Sequence, residues 1–198
     1  MKSIRSYLAF DFETSGLEPH CDRIIQVGLC TVSDGEVRDR QSWLVRQDVR
    51  IDPEATRVHG INAEDIRARG IPPQESLSRL LEAMRGAATC IGHNIHRFDV
   101  KFLRAESRRL GISPPDVHNF VDTAALFKGW KLGMPKGPGE SHQDYANRIL
   151  SVRAFGLKYS VEACVQALGI QSDTRGLHSA GQDAYLTHLI FRALQETL

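Results

Sequence analysis

The sequence has almost no surplus of charge, with 25 basic residues against 24 acidic ones and a formal net charge of +1. A uniformly basic surface for polyanions is thereby excluded, so any contact with nucleic acid must be local. Cysteine is scarce as well. Cys21, Cys30, Cys90 and Cys164 lie far apart with no C-x-x-C pair, which argues against a compact zinc site or a dithiol redox motif and leaves reduced core thiols. No apolar run reaches membrane-spanning length, and Met1 to Ser6 lead into an alternating segment without the apolar stretch of a signal peptide. A cytoplasmic protein with no membrane partner is the expectation. No internal repeat is visible. The 198 residues, 41% of them hydrophobic, suffice for one well-buried domain and are short for two.

What is present is first a strand pattern. In YLAFDFET at 7–14, Leu8, Phe10 and Phe12 alternate with Tyr7, Ala9, Asp11 and Glu13. The apolar runs 24–32 and 37–45 flank an Asp-Gly pair, a hairpin signal, so the first three strands are expected to form a meander. Short helical turns and loop are expected over 58–73. An amphipathic helix at 74–85 then carries Leu77, Leu80, Leu81 and Met84. A short strand at 89–92, a helix at 98–110, a strand at 119–121 and helices at 160–168 and from Ser179 onward complete the pattern. Residues 128–141, KGWKLGMPKGPGES, hold four glycines, two prolines and three lysines, and read as a surface loop. Strands followed by alternating helices and strands describe an α/β domain with a mixed sheet covered by helices.

The acidic residues carry the chemistry. Asp11 and Glu13 are two positions apart in a strand, so their side chains leave one face together. Burying them unpaired is costly, which leaves a divalent cation or an arginine as partner, unless the face is exposed to solvent. His178 and Asp183 stand at the start of the last helix, where Asp183 either joins a site or merely balances the helix dipole. Asp99 opens the helix after GHNIHRF, as a ligand or as a first-turn acid. Together these acids can form an all-oxygen cage, which suits Mg²⁺ or Mn²⁺ rather than zinc. Such a cage serves phosphodiester hydrolysis, with a histidine taking the proton of the attacking water.

Three motifs in order, FDFETSGL at 10–17, GHNIHRFDVKFL at 92–103 and HSAGQDA at 178–184, resemble the DnaQ-like (DEDDh) 3′-5′ exonucleases of the ribonuclease H-like superfamily. VHGI at 58–61, VDT at 121–123 and YSVEACVQALGI at 159–170 are also similar to family segments. The resemblance implies a five-stranded mixed sheet flanked by helices. It implies two Mg²⁺ or Mn²⁺ ions held by Asp11, Glu13, Asp99 and Asp183, with His178 as general base. It places Thr14 and Leu17 beside the terminal nucleotide, Leu17 as a wedge. His59, Asn94 and Phe98 stand where family members often touch substrate, although His59 and Asn94 equally suit backbone groups of their own loops. Asp122 reads as a helix N-cap outside the set. His93-x-x-His96-x-x-Asp99 has the wrong spacing for a zinc motif.

The expected activity is hydrolysis from the 3′ end of single-stranded DNA, with RNA as the other candidate, releasing nucleoside 5′-monophosphates. A polymerase or a second copy of the chain is the expected protein partner. The alternative is a non-catalytic nucleic-acid-binding or polymerase-associated module with the same fold. Trp130 with Lys128, Lys131 and Lys136 in the 128–141 segment reads as either a solvated loop or a base-stacking patch.

Overall fold

The computed structural model describes residues 4–116, 119–172 and 178–197. Within them, five strands form one mixed sheet: β1 (Tyr7–Thr14), β2 (Ile24–Ser33), β3 (Glu36–Leu44), β4 (Cys90–Gly92) and β5 (Val121–Asp122), in the order β3-β2-β1-β4-β5. The first three strands pair antiparallel as the expected meander, and β4 and β5 add in parallel beside β1. Eight helices flank the sheet: α1 (Pro53–His59), α2 (Ala63–Arg69), α3 (Pro73–Gly86), α4 (Asp99–Leu110), α5 (Thr123–Lys131), α6 (His142–Ser151), α7 (Val161–Ala167) and α8 (Ala180–Thr197).

Both faces of β1 are covered. Leu8, Phe10 and Phe12 pack with Leu77, Leu80 and Leu81 of α3 and with Val100, Phe102 and Leu103 of α4. Tyr7 and Ala9 pack on the other side with Leu186, Ile190 and Phe191 of α8 and with Phe127 of α5. The strand alternation that points Tyr7 and Ala9 toward α8 sends Asp11 and Glu13 to the same face, at the end of that apolar file.

Two glycines let α8 approach the sheet. A Cβ on Gly28 would stand 2.0 Å from the carbonyl of Ala180 and 2.4 Å from the nitrogen of Gly181, and one on Gly181 would meet the Ser42 side chain at 2.9 Å. The Gln26 side-chain oxygen accepts a 3.0 Å hydrogen bond from the Ala180 amide and fixes the same end. Because Asp11 pairs with Gly28 and Glu13 with Gln26, the close approach falls beside the two acids.

The 128–141 segment differs from its reading as one surface loop. Residues 128–131 are the last turn of α5, and Lys128 is buried, 2% exposed. Its ammonium donates to the carbonyls of Val152 (2.6 Å) and Leu150 (3.2 Å) at the end of α6 and lies 5.0 Å from the Tyr159 ring centre. The unsatisfied C-terminal carbonyls of α6 are the physical reason that a lysine goes inside. Trp130 is half-buried on Phe127, with the Lys131 amine 4.2 Å above its ring. A stacking patch of free Trp130, Lys128 and Lys131 is therefore not what the chain builds. The sequence reading also passed over α6, whose stripe of Tyr145, Ala146, Ile149 and Leu150 is buried, with Ser141 as its N-cap. Of the four cysteines expected in the core, Cys21 is exposed.

Candidate active site

The first two acids come from β1. Asp11 and Glu13 sit half-buried at the end of the central strand. The third comes from α8. Asp183 is buried, and its carboxylate accepts from the amide of His178 at 3.1 Å. Oxygens of Asp11, Glu13 and Asp183 lie within 4.8 Å of one another. The fourth, Asp99, is 3% exposed at the first position of α4. The turn before it is fixed by Asp122, whose carboxylate accepts from the amides of Asn94 (2.9 Å) and His96 (3.4 Å) as well as from Ala124 and Ala125. Asp122 thus caps α5 as expected and also shapes the Asp99 turn.

The electrostatics are those of like charges held together in a partly buried cluster. Among the described residues, none of the four carboxylates pairs with lysine or arginine. Burial pushes Asp11 well above the ordinary carboxylate range, and Asp99, Glu13 and Asp183 push it further. Glu13 is raised to about 8 by burial and then by Asp183 and Asp99. Asp99 is raised to about 8 by burial and by Asp122, partly offset by backbone amides. Burial also raises Asp183. At an effective dielectric near 20, like charges at the separation of this cluster repel by about 3 kcal/mol per pair. One oxygen each of Asp99 and Asp183 is buried with no hydrogen-bond partner. Clustered carboxylates with orphaned oxygens fit divalent cations, the ligand class that hard oxygen donors favour.

A cleft of about 320 Å³ opens over these acids, lined by Asp11, Phe12, Glu13, His93, Asn94, Phe98, Asp99, Ser160, Val161, Glu162, His178 and Asp183. His178 is exposed at its mouth, in a left-handed backbone conformation with φ +67°. A non-glycine residue in that region costs about 1 kcal/mol or more, and the Asp183 carboxylate on its amide helps hold it there. The structure thus brings Asp11, Glu13, Asp99, His178 and Asp183 to one cleft.

The other singled-out residues divide. Phe98 and Asn94 line the cleft; Phe98 packs on Phe102 with ring centres 4.9 Å apart, and the Asn94 side-chain oxygen is buried without a partner. His59 donates from Nε2 to the Thr14 carbonyl (3.3 Å) and accepts at Nδ1 from the Ile61 amide (3.0 Å). Both its ring nitrogens thus serve local backbone. Thr14 is buried, its hydroxyl donating to the Gly16 carbonyl, whereas Leu17 is 77% exposed.

Sequence reasoning missed His93, Ser160, Val161 and Glu162 in the wall, and Gln26 and Gly28 behind it. His93 donates from Nε2 to the Tyr159 carbonyl (2.7 Å) and meets the Thr123 hydroxyl at 2.9 Å through Nδ1. It ties the Asn94 turn to the start of α7. The one signal for Ser160 was its capping position; a polar residue in a strand gave no cue for Gln26.

The family model described as "Exonuclease" (RNase_T) matches residues 8–191. The chain is 26% identical over 195 residues to the PolC-type DNA polymerase III of Thermotoga petrophila, covering 98% of this chain and 12% of that protein. It is 33% identical over 152 residues to the DNA polymerase III subunit epsilon of Treponema pallidum, covering 77% of this chain and 66% of that subunit. The chain thus spans about an eighth of the PolC-type relative. Among solved structures, Escherichia coli Exonuclease I in complex with a dA16 oligonucleotide superposes with a TM-score of 0.76 at 19% identity, over 98% of this chain and 41% of that one. Exonuclease X in complex with 5′ overhanging duplex DNA gives 0.66 at 23% identity, over 96% and 92%. These structures share the fold. With a family match running from the first strand into the last helix, the chain belongs to the exonuclease family, DnaQ-like and of ribonuclease H-like fold.

Proposed function

We propose that the chain is a DEDDh-type, metal-dependent 3′-5′ exonuclease that removes nucleoside 5′-monophosphates from the 3′ end of single-stranded DNA, with RNA as a second substrate. The observation that carries this reading is the cluster of four carboxylates with no lysine or arginine partner among the described residues, two with orphaned oxygens, under a cleft whose mouth holds His178. The family match and the DNA named with Exonuclease I and Exonuclease X support it.

Asp11, Glu13 and Asp183, whose oxygens lie within 4.8 Å of one another, would hold a divalent cation, and Asp99 beside Asp11 would help hold a second. When bound, Mg²⁺ or Mn²⁺ at these positions would acidify the attacking water and offset charge on the entering and leaving oxygens. His178 accepts the water's proton on its unprotonated ring nitrogen as the water oxygen bonds to phosphorus. The bond from phosphorus to the 3′-oxygen of the preceding nucleotide breaks, and that oxygen takes a proton from solvent. Phe98 and Asn94, in the cleft wall, hold the terminal nucleotide, and exposed Leu17 bounds it, with Thr14 and His59 fixing the backbone between Glu13 and Leu17 through their hydrogen bonds. The polymerase names of the relatives make a replicative polymerase the first protein partner to test, and self-association the second.

Incubation of 5′-labelled single strands of matched DNA and RNA sequence with Mg²⁺ or Mn²⁺ tests the reading. A ladder shortening from the 3′ end, with mononucleotides released, is expected, and faster on DNA. A protein that binds both strands and shortens neither is a binding module instead.

A further inference from the structure

Phe155 is 97% exposed, the most exposed large apolar side chain among the described residues. Apolar area left in water forgoes the stabilisation that burial supplies, so a phenylalanine ring wholly outside the core contributes nothing to folding. Its backbone is nonetheless held by hydrogen bonding. The Leu157 amide donates to the Ala154 carbonyl at 3.4 Å, and Gly156 has φ +76°. Phe155 and Gly156 are therefore the two central residues of a tight turn whose second position requires glycine. One flank is anchored where Lys128 donates to the Val152 carbonyl, the other where Leu157 packs against the core and the Tyr159 carbonyl accepts from His93. The turn holds the ring up from a fixed base.

A groove of about 380 Å³ is lined by His93, Asn94, Leu157, Lys158, Tyr159 and Ser160. His93, Asn94 and Ser160 also line the catalytic cleft, so the two are continuous. Phe155 is five residues from Ser160, which limits their separation to about 18 Å. Arg97, Arg153 and Lys158 are exposed: Lys158 lines the groove, Arg153 is two residues before Phe155, and Arg97 is close enough to Lys128 to add to burial in lowering its pKa; among the described residues no carboxylate lies within ion-pairing distance of any of them. In a chain of balanced charge, three unpaired cations beside an exposed ring and a groove leading to the active site make a local polyanion track. A ring with flanking cations is the combination that binds unpaired nucleotides, the base on the ring and the phosphates on the cations.

We propose that Phe155, with Arg97, Arg153 and Lys158, forms a binding subsite for the single strand several nucleotides upstream of its 3′ end, Phe155 stacking on a base. The proposal rests on the exonuclease reading for the direction of the strand. The subsite serves affinity for longer strands and takes no part in bond cleavage.

The test compares wild type, Phe155→Ala and Phe155→Trp on fluorescent thymidine oligomers of two and ten nucleotides. Binding is read by anisotropy in EDTA, hydrolysis with Mn²⁺. Phe155→Ala is expected to weaken binding of the longer strand and raise its KM on the order of tenfold, the scale of one lost base–aromatic stack, with kcat unchanged. The dinucleotide should be cleaved alike by all three proteins, and Phe155→Trp should retain long-strand affinity. Equal long-strand binding by wild type and Phe155→Ala overturns the subsite, as does an equal loss on both lengths. Failure of wild type to cleave either oligomer overturns the exonuclease reading instead, and the anisotropy comparison still decides whether Phe155 contacts the strand.

Discussion

Asp11 faces three other carboxylates, and without a cation its charge is a liability to the fold. Asp11→Asn removes that charge at nearly constant volume. The variant is expected to melt above wild type in EDTA near pH 8, by on the order of 1 kcal/mol, while its exonuclease activity falls by at least about two orders of magnitude. A variant less stable than wild type would show that the acids are satisfied by other means. His178 differs because it touches the cluster through its amide, while its ring stands at the cleft mouth. His178→Ala should slow hydrolysis by a factor of about 10² to 10⁴ with Mn²⁺ affinity, measured by calorimetry, little changed. Unaltered turnover would remove the ring from the mechanism.

At the level of elements, the site exists because α8 lies against the sheet at Gly28. Gly28→Ala places a methyl group where the Ala180 backbone now stands, and backbone cannot swing aside as a side-chain tip can. Denaturant titration should show a loss of about 2 kcal/mol or more, with activity falling through displacement of Asp183. Native stability with full activity would mean that the helix end moves freely. A second junction is the amine of Lys128 beneath the end of α6. Lys128→Met leaves the Leu150 and Val152 carbonyls without their donor and should cost about 1–3 kcal/mol, a large effect for a lysine substitution. The same helix end frames the turn that carries Phe155, so proteolysis near residue 155 should quicken in that variant.

Across the whole molecule, two buried sets of groups make stability depend on pH in opposite directions. His188, 2% exposed, shares a 2.8 Å hydrogen bond through Nδ1 with the Tyr7 hydroxyl. Burial, then Arg192 and Arg40, lower its pKa to about 4. Being depressed, it contributes stability that is complete above the unfolded value near 6.5 and is lost as pH falls toward 4, about 3 kcal/mol in all. Urea midpoints of wild type and His188→Gln between these limits should diverge accordingly, and parallel curves would refute the assignment. The clustered acids of the cleft act the other way. Glu13 and Asp99 are raised to about 8, so the metal-free fold holds protons that the unfolded chain releases near pH 4. Stability in EDTA should therefore fall as pH rises through that interval. Mn²⁺ should raise the melting temperature more at about pH 8 than at about pH 6.

The sequence by itself determined the strand meander, the amphipathic helix over Leu77 to Met84 and the placement of Asp11 and Glu13 on one face, because each follows from a local period of two or 3.6 residues. Asp122 as a cap was legible for the same reason: an N-cap bonds amides two and three residues away. The buried Lys128 was not legible, since the carbonyls that hold it lie 22 and 24 residues along the chain. Neither were Gln26 and Gly28, whose roles depend on a helix end more than 150 residues distant in sequence. Helix α6 was hidden by the glycine and proline run before it, its four buried residues too few to stand out until α5 lay against them. Local periodicity fixes where a side chain points along its own strand or helix. Which other segment it then meets is set by packing, and only the tertiary structure decided that four acids from three segments share one cleft, and that Phe155 is left in solvent on a tight turn.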